Sequence, residues 1–263
     1  MASAIPRLIG MVHLAPLPGS PDYAGSMPNV VADARERANT LLEAGFGGLM
    51  VENFGDVPFY DDDVPAATVA AVTACVSAIR ADTDVPLGVN ILRNDAQAAL
   101  AVAAATDADF IRVNVLSGSM FTDQGPIVGR AAEVVRLRSH LCPDVRIWAD
   151  VFVKHAVPPT GLTIEQSAVD TWERGGADAL IVSGTGTGHA PDFERFARLE
   201  EVVPDAPLVV GSGTTPENVA ELADLADHLI VGTTLEENGE PGAGLDGERI
   251  RRFLDAAADA GLV

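Results

Sequence analysis

The stretch WADVFVKHA, at residues 148–156, places an acid and a base, Asp150 and Lys154, four residues apart. Lys154 is the only lysine among 17 basic residues, and all the others are arginines. Arginine serves a plain ion pair as well as lysine does. Lysine can also lose its proton, attack a carbonyl, or act as a compact charge on a phosphate or an enolate. We therefore predict a catalytic role for Lys154, with a structural ion pair as the alternative.

A second acid, Glu52, stands at the end of an apolar run and precedes the polar segment 53–56. Two carboxylates in different surroundings can divide the work of a general acid and a general base. We predict Glu52 and Asp150 as such a pair, and the alternative is that Glu52 only holds Arg112 or Lys154 in position. The histidines and carboxylates lack HxH, HExxH or paired CxxC spacings, so neither a metal site nor another cofactor is predicted.

Two small-residue runs, Gly211-Ser212-Gly213 and Gly232-Thr233, each follow an apolar strand-like run. Glycine allows a backbone to approach a ligand closely, and the hydroxyls add hydrogen-bond donors. In many barrels the loops after the seventh and eighth strands bind phosphate in this way. We predict a phosphate site formed by these five residues. Two tight turns that need small residues are the alternative.

Short apolar runs alternate with longer amphipathic runs eight times along the chain. Eight β-then-α units fit an α/β fold, the (β/α)₈ TIM barrel, which usually takes about 250 residues. A doubly wound open sheet is the competitor, but no GxGxxG follows the first strand. We predict one TIM-barrel domain over residues 1–263. The predicted strands are 8–14, 47–54, 87–92, 109–116, 146–153, 178–184, 207–213 and 228–235, and the predicted helices are 29–45, 64–83, 95–107, 127–142, 163–175, 192–203, 215–226 and 246–260.

Alternation along these strands separates side chains that face the helices from side chains that point into the barrel. The polar residues of one parity converge near the C-terminal strand ends, where barrel active sites are built. The predicted inward set is His13, Glu52, Asn90, Arg112, Asn114, Asp150, Phe152 and Lys154. The glycine-rich loop 183–189 is predicted to approach a ligand, and a merely flexible connection is the alternative. The predicted substrate-binding residues are His13, Asn90, Arg112, Asn114, Thr185 and His189.

The chain carries 38 acidic and 17 basic residues, for a net charge of −21. This charge argues against nucleic acid or an anionic membrane as a partner, and with the near absence of lysine it indicates a salt-adapted, halophilic source. We expect a cytoplasmic protein, because no signal peptide and no membrane-length apolar run is present. Cys75 and Cys142 are expected to be buried free thiols. Barrels of this size often associate, so a homo-oligomer is expected.

Several phrases together resemble the BtpA/SgcQ family over essentially the whole chain. They are IGMVHLAPLPGSP at 9–21, VENFGDVPF at 51–59, ADVFVKHA at 149–156 and GSGTTPEN at 211–218. The resemblance implies a TIM barrel. The family is named for a cyanobacterial factor needed to accumulate photosystem I, and other members look like products of sugar-utilisation operons. It implies no catalytic residues. One departure is Glu236-Glu237-Asn238-Gly239, where the family often has a lysine that could contact an anion.

The inward polar layer favours an enzyme that acts on a small phosphorylated sugar or phosphoribosyl-type metabolite by acid/base isomerase or lyase chemistry. Two other reactions stay open: a Schiff-base aldolase that uses Lys154, and cleavage of a nucleoside or another glycosyl bond. A non-catalytic assembly factor is the competing class, and Phe54, Phe59 and Tyr60 could supply its partner surface. Fold alone does not decide among these functions.

Overall fold

The computed structural model describes residues 4–184 and 193–263 and confirms the predicted TIM barrel. Eight parallel strands close into a barrel in the order β1-β10-β9-β8-β7-β4-β3-β2, and a separate hairpin is formed by β5 and β6. The barrel strands are β1 (Leu8–His13), β2 (Gly48–Glu52), β3 (Leu87–Asn90), β4 (Phe110–Val113), β7 (Arg146–Val151), β8 (Ala179–Val182), β9 (Leu208–Val210) and β10 (His228–Val231); the hairpin strands are β5 (Ser119–Thr122) and β6 (Gly125–Val128).

The helices surround the barrel, and predicted capping residues open α3 (Ala96–Thr106) and α5 (Ile164–Val169). Asp95 caps α3 by accepting a hydrogen bond from Ala98 N at 2.8 Å, and Thr163 caps α5 in the same way. Gly45 ends α1 in the left-handed conformation, φ 118°. The helices are α1 (Met27–Ala44), α2 (Ala66–Arg80), α3 (Ala96–Thr106), α4 (Ala131–Leu141), α5 (Ile164–Val169, continued by a π-helical turn Asp170–Arg174), α6 (Phe193–Val202), α7 (Val219–Leu225) and α8 (Gly247–Asp259).

The predicted helix over 127–142 is wrong in its first turn, where the chain forms the hairpin instead. Pro126 lies in β6, and Gly125 turns the chain with φ 104°. A Cβ on Gly129 would lie 2.4 Å from the carbonyl oxygen of Leu116, so the backbones pack too closely there for a larger residue. In the sequence, the amphipathic pattern of α4 continues back to residue 127. Gly125, Pro126 and Gly129 keep this segment out of the helix, so α4 begins at Ala131.

The fifth barrel strand is shorter than its predicted range of 146–153. It ends at Val151 because Phe152 adopts a positive φ of 54° and redirects the chain. Phe152 therefore packs with the apolar cores outside the barrel, and its predicted inward position is wrong. Lys154 lies on the loop that follows rather than on a pleat of the strand, so strand alternation does not position it.

The lower part of the barrel interior is apolar and closed. Phe110 and Trp148 stack there with ring centroids 4.3 Å apart. A Cβ on Gly88 would lie 2.2 Å from the Phe110 ring, so only glycine leaves room for this pair. The interior cluster consists of Ile5, Ile9, Met11, Met50, Phe110, Trp148, Ala179, Ile181, Val209 and Ile230. His228, at the start of β10, stacks on Trp148 at the N-terminal end of this interior with ring centroids 4.9 Å apart, whereas the polar residues at the ends of β1, β2 and β3 lie at the C-terminal end of the barrel.

Both cysteines are buried free thiols, as expected, and burial raises the pKa of the Cys75 thiol to about 12. Within residues 4–184 and 193–263, no helix has the length and apolar character needed to cross a membrane.

Candidate active site

A cavity of about 190 Å³ opens at the C-terminal end of the barrel. Strands β1, β2 and β4 and the loops after β7, β9 and β10 contribute its walls. Nine of the predicted site residues line it: His13, Glu52, Arg112, Lys154, Gly211, Ser212, Gly213, Gly232 and Thr233. Thr185 and His189 lie outside the described residues.

Arg112 and Asp150 form a buried ion pair at the floor of the cavity. The guanidinium Nε and Nη2 each donate to one carboxylate oxygen at 2.8 Å, and the two side chains are 2% and 0% exposed. Asn114 Nδ2 donates to the same carboxylate at 3.2 Å, and Ser183 Oγ at 3.4 Å. Burial opposes the charge of Arg112, but its attraction to Asp150 is decisive and raises the pKa of Arg112. Asp150 and Asn114 thus lie behind Arg112 and do not line the cavity.

A glycine makes room for this ion pair. A Cβ on Gly211 would lie 2.4 Å from Ile181 Cγ2, 2.5 Å from Ser183 Oγ and 3.3 Å from Arg112 Nη2. Any larger residue would push into the groups that surround Arg112. Gly211 lines the cavity as predicted, and this packing also fits the alternative that the position needs a small residue.

Glu52 and His13 lie side by side at the ends of β2 and β1, in register with each other. Asn90, from β3, donates to Glu52 Oε2 at 2.6 Å, while Glu52 Oε1 lies 3.8 Å from His13 Nε2. The other ring nitrogen, Nδ1, is 2.5 Å from Oε1 of Glu236, which is wholly buried in the segment after β10. Phe54 packs on the imidazole with ring centroids 4.7 Å apart. Asn90 does not line the cavity but holds Glu52.

Lys154 reaches the cavity from the loop after β7. Arg93 Nη2 donates to the Lys154 carbonyl oxygen at 2.7 Å and fixes this loop. Among the residues that the structure describes, no carboxylate forms an ion pair with the Lys154 ammonium. Burial and, secondarily, the charge of Arg112 lower the pKa of Lys154. The half-buried amine is therefore easier to deprotonate than an ordinary lysine.

A second wall of the cavity, which we call the hydroxyl cup, consists of residues 211–215, residues 232–234 and Arg249. The Ser212 and Thr214 hydroxyl oxygens are buried and have no hydrogen-bond partner among the described residues. Asn218 braces the first segment: its side chain accepts from Thr215 N at 2.7 Å and donates to the Gly213 carbonyl at 2.9 Å. Arg249, from α8, donates through Nε to the Thr234 carbonyl at 3.0 Å.

Several residues of this site are not predicted from the sequence, among them Glu236, Arg249, Thr214, Thr215 and Thr234. Glu236 and Arg249 follow the last barrel strand, so strand alternation does not reach them. Thr214 adjoins the predicted Gly211–Gly213 run, and extending that run by one residue would have included it. Arg249 lines the cavity and supplies a cation to the hydroxyl cup.

Solved structures similar to this chain show the same fold at low sequence identity. A native KDPGal structure has a TM-score of 0.60 and 16% identity, and the match covers 99% of this chain and 98% of that one. The (S)-3-O-geranylgeranylglyceryl phosphate synthase of Thermoplasma acidophilum, in complex with sn-glycerol-1-phosphate, has a TM-score of 0.59 and 16% identity, with 96% and 93% covered. At such identities the similarity concerns the barrel alone.

Similarity in sequence is much closer to other proteins. A Thermococcus kodakarensis protein is 48% identical over 96% of this chain and 95% of its own length. The photosystem I biogenesis protein BtpA of Synechocystis is 41% identical, with 96% of this chain and 88% of its own length covered. The BtpA family model matches residues 5–259. This chain therefore belongs to the BtpA family.

Proposed function

We propose that the chain is an enzyme that acts on a small phosphorylated sugar or phosphoribosyl-type metabolite by acid/base isomerase or lyase chemistry. One observation carries the proposal: a single cavity has unpartnered hydroxyls and a cation on one wall, and a carboxylate, an imidazole and a lysine on the other. The first wall suits a phosphate and the second suits proton transfer. The volume of the cavity, about 190 Å³, lies below the ~300–1,000 Å³ of sites for drug-sized ligands, which indicates a small substrate.

The hydroxyl cup is the proposed phosphate site. Gly211, Ser212 and Gly213 after β9, and Gly232 and Thr233 after β10, all line the cavity. A buried hydroxyl without a partner costs roughly 1–3 kcal/mol, so a phosphate oxygen that accepts from it recovers that energy. The Arg249 guanidinium adds a charge that can pair with the anion.

The wall with Glu52, His13 and Lys154 is the proposed site of chemistry. Glu52, held through Oε2 by Asn90, borders the cavity and is placed to serve as one of its acid–base groups. Lys154 and Arg112 would face the negative charge that develops when a proton leaves the substrate. Asp150 accepts hydrogen bonds from Arg112 and Asn114 behind the cavity wall. We therefore propose that Asp150 holds Arg112 in position and does not contact the substrate.

A binding screen in molar KCl tests the proposal. The panel contains inorganic phosphate, sugar phosphates, phosphoribosyl compounds and nucleosides, with parent and Lys154→Ala protein. A ligand at a hundredfold excess over its Kd stabilises a protein by about 2.7 kcal/mol, which moves Tm by several degrees. We expect shifts with phosphorylated compounds that shrink in Lys154→Ala and persist in Arg252→Ala, an exposed site on α8. A flat panel with folded protein would contradict the proposal.

A Schiff-base reaction is a second candidate, because the amine of Lys154 has a lowered pKa and no described ion-pair partner. As pH rises through that lowered pKa, the neutral amine that attacks carbonyls becomes populated below the pH that an ordinary lysine needs. Borohydride with a carbonyl substrate should then attach the substrate's mass to Lys154, which is easily located because the chain has no other lysine. Lys154→Arg, which keeps the charge, separates the candidates: it abolishes trapping in every case but preserves activity only if lysine acts as a charge.

The name of the Synechocystis relative also suggests a scaffold role in assembly. Val57 and Tyr60, both more than half exposed in the loop after β2, could then contact a partner protein. A screen in which no small molecule binds, together with tolerance of Lys154→Ala in the organism, would favour this role over catalysis.

A further inference from the structure

Glu236 is a wholly buried carboxylate, and each of its two oxygens has a hydrogen-bond partner. Oε1 lies 2.5 Å from His13 Nδ1, and Oε2 accepts a hydrogen bond from the backbone N–H of Gly242. When Glu236 is ionised, both of its oxygens can only accept hydrogen bonds, and the proton shared with the imidazole then belongs to Nδ1. In a neutral imidazole the other nitrogen then has no proton and exposes its lone pair.

That other nitrogen, Nε2, faces the cavity. It lies 3.8 Å from Glu52 Oε1, which is too far for a hydrogen bond. Glu52 is held through its second oxygen by Asn90, so its Oε1 borders the same space as the imidazole. The ring of Phe54 packs against the imidazole and limits its rotation. Within the described residues, Nε2 therefore has no hydrogen-bond partner and is open to a ligand.

We propose that Glu236 is a positioning residue that keeps the proton of neutral His13 on Nδ1, and that His13 is thereby a general acid–base group of the cavity. This inference rests on the proposed function, because it assumes that the cavity holds a substrate. Glu236 never touches the substrate and acts only through His13.

The proton step balances without another reactant. The lone pair of His13 Nε2 takes a proton from a C–H or O–H group of the substrate, and the electron pair of the broken bond stays on the substrate. The resulting imidazolium lies between Glu236 and Glu52, and the substrate anion faces Lys154 and Arg112. Return of the same proton to another substrate atom completes an isomerisation and regenerates neutral His13.

The sequence itself offers a matched control, because Glu236 is followed by the exposed Glu237. Glu236→Gln and Glu237→Gln remove the same charge at neighbouring positions. In Glu236→Gln the amide has one accepting oxygen but must face two donors. The backbone N–H of Gly242 cannot move its proton, so we expect the amide oxygen to stay on Gly242 and the amide NH₂ to face His13 Nδ1.

The experiment reads the protonation of the two ring nitrogens by ¹⁵N NMR of the full chain, at a pH where the imidazoles are neutral. His13→Gln identifies the His13 signals among those of the five histidines. In the parent and in Glu237→Gln we expect the proton on Nδ1. In Glu236→Gln we expect it on Nε2. If Glu236→Gln does not fold, Glu236→Asp, which withdraws the carboxylate from the ring, should lower the Nδ1-protonated fraction instead.

A parent with the proton on Nε2, or a Glu236 variant with the parent's tautomer, would overturn the inference. With a substrate from the binding screen, Glu236→Gln should lower kcat by roughly 10²–10⁴-fold, since the wrong tautomer disables the base, while KM and phosphate binding change little. An unchanged kcat would likewise overturn it. If the tautomer switches as expected but no phosphorylated compound binds the parent, the proposed function fails and the positioning by Glu236 stands.

Discussion

The two walls of the cavity differ in how their polar groups are satisfied. We call the wall with Glu52, His13 and Lys154, together with the residues that hold it from behind, the acid–base wall. There every carboxylate has a donor: Asn90 for Glu52, Arg112 for Asp150, and His13 for Glu236. In the hydroxyl cup the buried oxygens of Ser212 and Thr214 have no partner within residues 4–184 and 193–263. The difference follows from cost, because an unpaired buried charge costs several kcal/mol, whereas an unpaired hydroxyl costs roughly 1–3 kcal/mol.

The contrast indicates which wall is complete before a ligand arrives. Charged groups that would be costly to reorganise are already fixed by neighbours on the barrel strands, and this is the preorganisation that proton-transfer chemistry needs. The hydroxyl cup has the smaller free-energy cost of unpaired buried hydroxyls, and a ligand with acceptor oxygens can remove that cost by accepting hydrogen bonds from them. Each wall can be tested by removing the property that distinguishes it.

The largest expected effect comes from the buried ion pair. Asp150→Asn replaces an oxygen that accepts from Arg112 by an amide that donates, and it leaves the guanidinium charge buried and uncompensated. We expect a loss of roughly 3–5 kcal/mol in the free energy of unfolding. Urea denaturation at constant KCl, with the slope of the transition unchanged, measures it.

A surface pair of the same geometry provides the control. Arg35 donates through Nε and Nη2 to the two oxygens of Asp82 at 2.7 and 2.8 Å, but this pair is exposed to solvent. Asp82→Asn should therefore cost far less than Asp150→Asn, and its effect should shrink further as KCl is raised. Equal losses at the two positions would show that burial does not set the cost on the acid–base wall.

The sequence predicts most residues of the acid–base wall but only part of the hydroxyl cup, because most of the former lie on strands and much of the latter lies beyond them. Alternation with a period of two fixes which side chains of a strand face inward, so Glu52, Asn90 and Arg112 follow from the pattern. The pairing of Arg112 with Asp150 requires β4 to adjoin β7, and the eightfold pattern predicts this because it makes 109–116 and 146–153 consecutive barrel strands. The hairpin that lies between them in the chain stays outside the barrel. The pattern does not reveal that hairpin.

Beyond the strands, periodicity no longer applies. Lys154 lines the cavity as expected. A loop that begins at Phe152 places it there, whereas the prediction relied on the alternation of side chains along the strand. Arg249 comes from α8 and Glu236 from the segment after β10. Their positions depend on how these segments pack on the barrel, which is set by contacts far apart in the sequence.

The second prediction removes the cation of the cup. Arg249→Gln should weaken phosphate or sugar-phosphate binding about tenfold or more, since a charge-assisted hydrogen bond contributes roughly 1.5–3 kcal/mol. Titration calorimetry measures the Kd. Arg252→Gln is the matched control on the same helix, because Arg252 is exposed and pairs with Glu217 outside the cavity. A similar loss in both variants would mean that only the general charge of the chain matters.

The last prediction concerns the unpartnered hydroxyl of Thr214, whose side chain is buried. Thr214→Val keeps the shape of the side chain and removes an oxygen that has no partner in the free protein. We expect the variant to be more stable by about 1 kcal/mol and to bind phosphate several-fold more weakly, because the oxygen gains its partner only from the ligand. Thr106→Val is the control: that hydroxyl donates to the Val102 carbonyl at 2.8 Å, away from the cavity. Its loss should lower stability and leave affinity unchanged. Opposite signs for stability and affinity at Thr214 would support a cup that a ligand completes, whereas a loss of both would mean that the hydroxyl has a structural partner within the protein.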